Sequence, residues 1–457
     1  MMKKLLLILI ALPMIGFGQN WERYYADGVD STTIGYMHNN SSVQQTTDGG
    51  YIACGAILVL PGTNWTSDVL LIKTTPQGDT IWQKKFNNYL DSRDNAYDVK
   101  QTSDGGYIIC GSTRIDTASF PREDIYLIKT DANGDLLWSR TIADTLNSSE
   151  IGCSIEQTID GGYIIGGVIS PSHLNYTNTY LVKTNSLGVV QWNQSFFMCS
   201  AGWFSSVSVQ QTTDGGYLIG SQQQDVSTNN FHSNLIKTDA LGNQQWNKVG
   251  PELSWKNYTV YAEQTSNGGY ILSCTVTDTL SFNNNSNIHI IKSDAFGNQQ
   301  WSQTSTDTLE KDVNAIHQTS DGGYIICGSK KVGWGTFDIT RQLYIAKTDA
   351  LGNNQWEREF GDIALVDWGY SVQQTSDGGY IISGITEIIH EAVYAISLIK
   401  TDNNGNVTST FNIPIPNANK KLQKVVDILG KETTPKTNTP LFYIYDDGTV
   451  EKRIVIE

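Results

Sequence analysis

Apolar and polar positions follow one pattern that recurs seven times along the chain. In the second copy, residues 97–102 (YDVKQT) alternate in polarity, which predicts a half-buried strand, s1. The run 107–112 (YIICGS) is continuously apolar and predicts a strand buried on both faces, s2. Residues 125–130 (IYLIKT) and 136–142 (LLWSRTI) predict two further strands, s3 and s4. Each copy is therefore predicted to form four short antiparallel strands.

The spacing of the copies is nearly constant. Each contains a QTxDGGY-like segment, and the steps between successive opening threonines are 56, 56, 54, 53, 54 and 56 residues. A period this regular indicates one supersecondary unit repeated along or around an axis. We number these copies repeats 1 to 7; their threonines are Thr46, Thr102, Thr158, Thr212, Thr265, Thr319 and Thr375.

Two of the four connections in a repeat are short turns. The Asp-Gly-Gly segment joins s1 to s2 and an Asp-x-x-Gly type of turn joins s3 to s4, since Asp bonds its own backbone and Gly tolerates positive φ. Because consecutive antiparallel strands alternate in direction, both turns fall at one end of the molecule, the turn end. The variable s2–s3 and s4–s1 connections fall at the other, the variable-loop end, where function is expected.

A tryptophan in s4 predicts how the ring closes. It recurs in six copies, but repeat 7 has Ser409 at the matching position, and the missing indole is found near the N-terminus as Trp21. The N-terminal segment is therefore predicted to supply the last s4 strand, which leaves no free sheet edge. These features predict an all-β, seven-bladed β-propeller of four-stranded antiparallel blades. An open β-solenoid of seven rungs is the alternative.

The stretch YLIKTDANGDLLW (126–138) resembles the tryptophan-docking repeat of quinoprotein-like and outer-membrane-assembly propellers. That resemblance covers about a dozen residues per blade and implies that s1 is innermost and that the s4 tryptophan packs between blades. No cofactor is expected, because nothing in the chain matches the quinone ligands of that family.

Composition and the chain termini bear on localisation. Residues 1–18 carry Lys3, Lys4 and an apolar run, which predicts a signal peptide. The domain prediction is then a propeller over 19–411, a linker over 412–419 and a C-terminal segment over 420–457. The net charge of −15 argues against nucleic acid or anionic lipid as a partner. No membrane span is predicted, so the protein is expected to be secreted or on the cell surface.

The C-terminal segment contains three strand-like runs separated by polar turns. It resembles the sorting domain of proteins exported by the type IX secretion system of Bacteroidota, through the DILGK step, the LFYIY strand and the Asp-Asp-Gly turn. The resemblance implies the outer-membrane secretion machinery as a partner; an appended hairpin without this role is the alternative. The sorting-signal residues it implies are Asp427, Gly430, Tyr443, Tyr445 and Gly448.

The most repetitive polar residues are interpreted as scaffold. Repeat 5 has Asn267 where the other copies have Asp, which a turn tolerates and a catalytic acid does not. The invariant glutamine of s1 is expected to satisfy backbone groups of the neighbouring blade. The residue just before that glutamine varies, so we expect it to face water or a ligand; its ionisable members are Lys100, Glu156, Glu263 and His317.

Five tryptophans lie outside the repeated s4 position and are predicted to fall in or beside the variable connections. They are Trp65, Trp203, Trp255, Trp334 and Trp368. Exposed aromatic side chains stack on sugars and anchor protein interfaces, so these residues are candidate binding residues together with Glu156, Glu263 and His317. Pinning of long loops onto the ring is the alternative role.

No catalytic or metal-binding signature is found. The six histidines are scattered, and the chain has no nucleophile elbow or phosphate-binding loop. The leading hypothesis is a non-catalytic surface or secreted module that binds glycan or protein. A glycan hydrolase or lyase using Glu156 and Glu263 is the alternative, and a structural spacer is a third possibility. A disulfide between Cys153 and Cys199 is left open.

Overall fold

The structure is a computed structural model of the chain. It describes residues 21–25, 41–59, 66–89, 92–115, 122–143, 148–171, 176–199, 206–225, 227–228, 230–253, 259–277, 285–305, 309–332, 340–363, 365–389, 393–407, 422–426, 431–434, 441–445 and 450–453. The predicted signal peptide lies outside these residues. No helix in the described ranges has the length and apolar character needed to cross a bilayer.

Strand β1 (Trp21–Tyr25) precedes the first repeat. Repeats 1 and 2 contribute eight strands: β2 (Ser42–Gln45), β3 (Tyr51–Val59), β4 (Thr66–Thr74), β5 (Thr80–Phe86), β6 (Ser92–Gln101), β7 (Tyr107–Ile115), β8 (Arg122–Thr130) and β9 (Leu136–Ile142). Within each repeat the four strands pair antiparallel in sequence order. A single parallel bridge between Ser67 and Arg93 joins the two sets, so they form one eight-stranded sheet.

Repeats 3 to 6 each form a separate four-stranded antiparallel sheet in sequence order. Their strands are β10 (Ser148–Gln157), β11 (Tyr163–Pro171), β12 (Thr177–Thr184), β13 (Val190–Cys199), β14 (Ser208–Gln211), β15 (Tyr217–Gln224), β16 (Phe231–Thr238), β17 (Gln244–Glu252), β18 (Val260–Gln264), β19 (Tyr270–Thr277), β20 (Ser286–Ser293), β21 (Gln299–Thr304), β22 (Lys311–Gln318), β23 (Tyr324–Lys331), β24 (Arg341–Thr348) and β25 (Asn354–Phe360).

In the described part of the chain, repeat 7 supplies three strands of its sheet: β26 (Asp367–Gln374), β27 (Tyr380–Ile389) and β28 (Val393–Thr401). Strand β1 completes the sheet by pairing antiparallel with β28, from Trp21 opposite Lys400 to Tyr25 opposite Ile396. The prediction that the N-terminal segment supplies the outer strand of the last repeat is therefore confirmed.

The molecule is an all-β propeller of four-stranded antiparallel blades. The innermost strands β2, β6, β10, β14, β18, β22 and β26 each contact the next, and β26 contacts β2, so they close a ring around an axis. The sequence predicted seven four-stranded blades, but the structure has five separate four-stranded sheets in the ring, because Ser67 and Arg93 bridge repeats 1 and 2 into one eight-stranded sheet.

Each outer-strand tryptophan packs on the next repeat, as predicted. Its indole lies over the glycine of the s3–s4 turn in the next repeat. The same indole packs against the ring of the tyrosine that begins s2 of that repeat. Trp82, for example, has its ring centroid 5.9 Å from that of Tyr107. A Cβ added at Gly134, where φ is +77°, would come within 2.7 Å of Trp82. The same contact joins Trp21 to Tyr51, with centroids 5.6 Å apart, across the ring closure.

A buried lysine at the end of each s3 strand explains why the turn aspartate recurs. Lys183 is 4% exposed, and its Nζ donates to the Thr184 carbonyl oxygen at 2.8 Å and pairs with Asp160 at 2.9 Å. Six repeats carry this pair: Lys73–Asp48, Lys129–Asp104, Lys183–Asp160, Lys237–Asp214, Lys347–Asp321 and Lys400–Asp377. The aspartates are thus ion-pair partners as well as turn residues.

The chain divides into two compact units, Met1–Ser409 and Thr410–Glu457. The second unit contains a three-stranded antiparallel sheet of β29 (Leu422–Val426), β30 (Leu441–Tyr445) and β31 (Val450–Arg453). Tyr443 and Tyr445 belong to β30, whereas Asp427, Gly430 and Gly448 lie outside the described residues.

Five cysteines are thiols, not half-cystines: Cys54, Cys110, Cys153, Cys274 and Cys327. The Cys153 Sγ lies 4.0 Å from the Ile151 carbonyl oxygen. Burial raises the pKa of the Cys153 thiol to about 11. The disulfide between Cys153 and Cys199 that the sequence left open is therefore not formed in this structure.

Candidate binding site in the axial cavity

The seven inner strands enclose a cavity of about 320 Å³ on the ring axis. Its lining begins at the residue before each invariant glutamine, such as Gln44, and extends back along s1 to positions such as Ser41. Because s1 runs from the variable-loop end to the turn end, the cavity lies on the variable-loop side of the glutamines. We call it the axial cavity.

The invariant glutamines join each repeat to the one before it. The Oε1 of Gln101 accepts the backbone N–H of Thr47 at 2.9 Å, and the same bond recurs around the ring. The seven acceptors are Gln101, Gln157, Gln211, Gln264, Gln318, Gln374 and, across the closure, Gln45. The interpretation of these amides as inter-blade ties is confirmed.

The variable position just before the glutamine also carries an inter-repeat bond in five repeats. There its side-chain oxygen accepts the backbone N–H of the next repeat's glutamine, at 2.6 Å from Gln101 to Gln44 and 2.5 Å from Gln211 to Glu156. The five acceptors are Gln44, Glu156, Gln210, Glu263 and Gln373. Part of what this position does is therefore structural.

Lys100 and His317 break this rule because neither offers a carboxylate or amide oxygen. Lys100 instead turns to its own strand, where its Nζ lies 2.6 Å from Asp98 Oδ1. Asp98 is 8% exposed and also accepts the Ser42 hydroxyl at 2.7 Å and the Ile155 N–H at 3.0 Å. Burial disfavours the Lys100 ammonium, but Asp98 and Glu156 outweigh it and raise the Lys100 pKa.

His317 belongs to a three-residue cluster on another part of the cavity wall. Its Nδ1 lies 2.5 Å from Glu263 Oε2, and its Nε2 lies 3.3 Å from the Tyr261 hydroxyl. The Tyr261 and His317 rings meet edge to face with centroids 5.1 Å apart. Burial and the nearby Glu263 charge raise the pKa of Tyr261, so its hydroxyl keeps its proton and can donate.

Glu156 is the least engaged of the cavity carboxylates. Its Oε2 accepts the Gln211 N–H, and within the described residues no hydrogen bond reaches its Oε1. Burial raises its pKa, with Asp98 and Glu263 adding to the rise and the Gln211 bond and Lys100 opposing it. A carboxyl in this state gains from any ligand that donates a hydrogen bond.

The structure brings together the predicted Lys100, Glu156, Glu263 and His317 around one cavity. Of the predicted tryptophans, Trp368 is half-buried at the second position of β26, beside the connection that precedes this strand. Trp65, Trp203, Trp255 and Trp334 lie outside the described residues.

Asp98 and Tyr261 are site residues that the sequence reasoning missed. Each lies two residues before a predicted member, Lys100 or Glu263, and a strand period of two places such pairs on one face. That spacing was the available signal. No cluster of three metal-ligating side chains is found among the described residues.

No protein-family model matches the chain, and no curated protein matches it. Among solved structures, the β-propeller domain of the trilobed protease from Pyrococcus furiosus aligns at 11% identity over 84% of this chain and 98% of that one, with a TM-score of 0.47. The Pyrococcus horikoshii acylaminoacyl peptidase aligns at 12% identity over 91% of this chain and 58% of that one, with a TM-score of 0.46. At these scores the likeness carries no functional argument, and the fold assignment rests on the strand order.

Proposed function

We propose that the protein is a non-catalytic binding propeller that recognises glycan or protein at its variable-loop end. One observation carries this proposal: the axial cavity lies on the variable-loop side of the glutamine ring and gathers the side chains that differ between repeats. Positions that hold the ring together are repeated, whereas Lys100, Tyr261 and His317 occur once each at theirs. Sites grafted onto a repeated scaffold have this distribution.

The cavity carboxylates support binding over catalysis. Glu156 and Glu263 accept the same inter-repeat N–H bond as Gln44, Gln210 and Gln373, so their placement has a structural reason. Glu263 is further held by His317. Uncharged glutamines occupy the equivalent position in three other repeats. The position of Glu156 and Glu263 in the repeat therefore does not by itself indicate a role in proton transfer.

A glycan array and protein pull-down with the full chain test the binding proposal. Trp203→Ala and Trp334→Ala remove aromatic side chains that the sequence places at the variable-loop end. Phe296→Ala is the matched control, since Phe296 is an aromatic residue 72% exposed in an s3–s4 turn at the turn end. We expect the tryptophan variants to lose binding and the Phe296 variant to keep it. Equal binding by all variants would contradict the site assignment.

A glycan-degrading enzyme is the second candidate, favoured by the raised pKa of Glu156, which suits a general acid. Release of reducing sugar from polysaccharides by the full chain, abolished in Glu156→Gln, is the outcome that supports it. Wild-type binding without turnover, retained in Glu156→Gln, favours the binding proposal instead.

We propose that the protein is secreted or displayed at the cell surface of a Bacteroidota cell. The proposal is supported by the apolar N-terminal run of residues 1–18 and by the resemblance of residues 420–457 to type IX sorting domains. Fractionation of cells expressing the chain without residues 420–457 tests it. We expect the truncated chain to accumulate in the periplasm, and its appearance outside the cell would contradict the sorting role.

We also propose that the ring has seven blades, with the eight-stranded sheet counted as two. The support is the single bridge, Ser67 to Arg93, that joins β4 to β6, against complete antiparallel ladders within repeats 1 and 2. An experimentally determined structure in which this bridge is extended into a ladder would contradict the count.

A further inference from the structure

Each contact between neighbouring inner strands is called a joint here. At five of the seven joints a side-chain oxygen of one repeat accepts the glutamine N–H of the next repeat, and at the other two this acceptor is missing among the described residues. In every repeat the backbone N–H of the threonine after the invariant glutamine donates a hydrogen bond across the hairpin. In repeat 3, for example, the Thr158 N–H donates to the Gly162 carbonyl oxygen at 2.9 Å. Because N–H directions alternate along a strand, the glutamine's own N–H points away from that hairpin, towards the preceding repeat. For Gln157 and Gln374 the facing residues are Lys100 and His317, which accept no bond from them within the described residues.

These two open joints lie at the edge of a cavity that also holds acceptors, because Glu156 and Gln373, the residues just before Gln157 and Gln374, line it. Glu156, the residue before Gln157, has an Oε1 that accepts no described hydrogen bond. His317, the residue that faces Gln374, contacts the Tyr261 hydroxyl. Polar groups withdrawn from bulk water cost free energy unless they find partners, so the cavity favours a ligand that both donates and accepts at short intervals. Vicinal hydroxyl groups meet this requirement.

We propose that the axial cavity binds the terminal ring of a carbohydrate through its vicinal hydroxyl groups. The inference rests on the proposed function and names the ligand chemistry of that same site. The cavity volume of about 320 Å³ is at the lower end of ligand pockets, which suits one ring rather than a chain. Tyr97, Tyr261 and Tyr370 line the cavity, and aromatic rings are the side chains on which the apolar side of a sugar packs.

The charges around the cavity predict which sugars are accepted. Asp98, Glu156 and Glu263 are three carboxyl groups facing one lysine, Lys100, and Asp98 already pairs with that lysine. A sugar carboxylate would meet like charge in a confined space, whereas an ammonium would be attracted to Glu156. The site therefore takes neutral and amino sugars and rejects uronic acids.

Repair of the open joints gives a direct test. Lys100→Gln and His317→Gln each restore the acceptor that Gln44 provides to Gln101. Asn267→Asp is the control, because it changes one turn at the opposite end of the repeat. Saturation-transfer NMR and calorimetry use glucose, N-acetylglucosamine, glucosamine and glucuronic acid as free probes. An array that presents the same rings as glycan ends distinguishes a free-sugar site from a glycan-end site.

We expect wild type and Asn267→Asp to bind neutral or amino sugars and not glucuronic acid. We expect each repair variant to bind these sugars about tenfold more weakly or not at all, because it loses one good hydrogen bond to the sugar. Thermal unfolding of the repair variants at or above the wild-type midpoint shows that they fold. Unchanged sugar binding in both repair variants, or no binding of any neutral or amino sugar in either format, overturns the inference. Retained protein binding in the pull-down would leave the proposed function standing in that case.

Discussion

The indole of Trp21 lies against Gly78 so closely that a Cβ added at Gly78 would come within 2.8 Å of three ring atoms. Its Nε1 donates to the Pro76 carbonyl oxygen at 2.9 Å, and the Tyr25 hydroxyl donates to the Gly78 carbonyl oxygen at 2.6 Å. These contacts fix the first described strand to repeat 1 while its backbone pairs with repeat 7. One short segment thus joins the two ends of the ring.

Loss of the Trp21 side chain is expected to open this closure. Trp21 is 1% exposed, so Trp21→Ala should lower the free energy of unfolding by about 3–5 kcal/mol, as for other buried aromatic truncations. Trp192→Ala is the matched control, because Trp192 makes the same contact with Tyr217 inside the ring but is only partly buried. Urea unfolding measures both. A larger loss in Trp192→Ala would contradict the special role of the closing strand.

The repeated apolar pattern predicted the propeller because it reports strand faces and turns, which are local properties. The displaced Trp21 predicted the closing strand because each contact between neighbouring repeats contains one such indole. The merged sheet of repeats 1 and 2 depends on one bridge between Ser67 and Arg93, and no pattern of residue types encodes that. The buried lysines were missed because a lysine at a strand end is ordinarily solvated.

The axial site was predictable only in part. Variation among repeats identified Lys100, Glu156, Glu263 and His317, since a position under one structural demand keeps one residue type. It did not show that five of the seven side chains at that position also bond the next repeat. Asp98 shares a strand face with Lys100, two residues later, but the register shift between Ala96 and Asp98 changes which of the earlier β6 side chains face inwards. Bulges are not visible in polarity alone.

Repeat 5 offers a stabilising substitution. Lys292 is 3% exposed, and its Nζ donates to the Ser293 carbonyl oxygen at 2.7 Å, but the turn residue opposite is Asn267 rather than aspartate. Burial lowers the pKa of Lys292. We expect Asn267→Asp to complete the ion pair and raise the free energy of unfolding by about 1 kcal/mol.

The reverse change in repeat 4 is the control for Asn267→Asp. Asp214→Asn removes the partner of Lys237, which is 2% exposed, and should cost roughly 1–3 kcal/mol because a buried ammonium loses its carboxylate. Both variants are compared with wild type by urea unfolding at pH 7. A destabilised Asn267→Asp would show that repeat 5 is built around a neutral turn.

The turn aspartates are expected to govern unfolding in acid. Partial burial favours protonated Asp160, but hydrogen bonds from Thr158, Lys183 and the Gly162 N–H outweigh it and lower its pKa to about 2. Because the folded pKa lies below the unfolded value of about 3.9, this stability is present above pH 4 and is lost as pH falls towards 2. Urea midpoints measured from pH 5 to 2.5 should fall, and less steeply in Asp160→Asn. Parallel curves would contradict the assignment.

Asp367 predicts a second, opposite pH dependence at the ring closure. It is 1% exposed, and burial, reinforced by the charge of Glu22 on β1, outweighs hydrogen bonds from Thr386 and the Asp362 backbone and raises the Asp367 pKa to about 7. The fold therefore favours the protonated acid, and stability is lost as pH rises from about 4 through 7. Asp367→Asn keeps the shape without the charge and should gain roughly 2–4 kcal/mol over wild type at pH 8. At pH 4 the variant should match wild type, and Asp362→Asn, on an exposed residue, should change little at either pH. An Asp367→Asn gain that is the same at pH 4 and pH 8 would show that packing, not ionisation, is responsible.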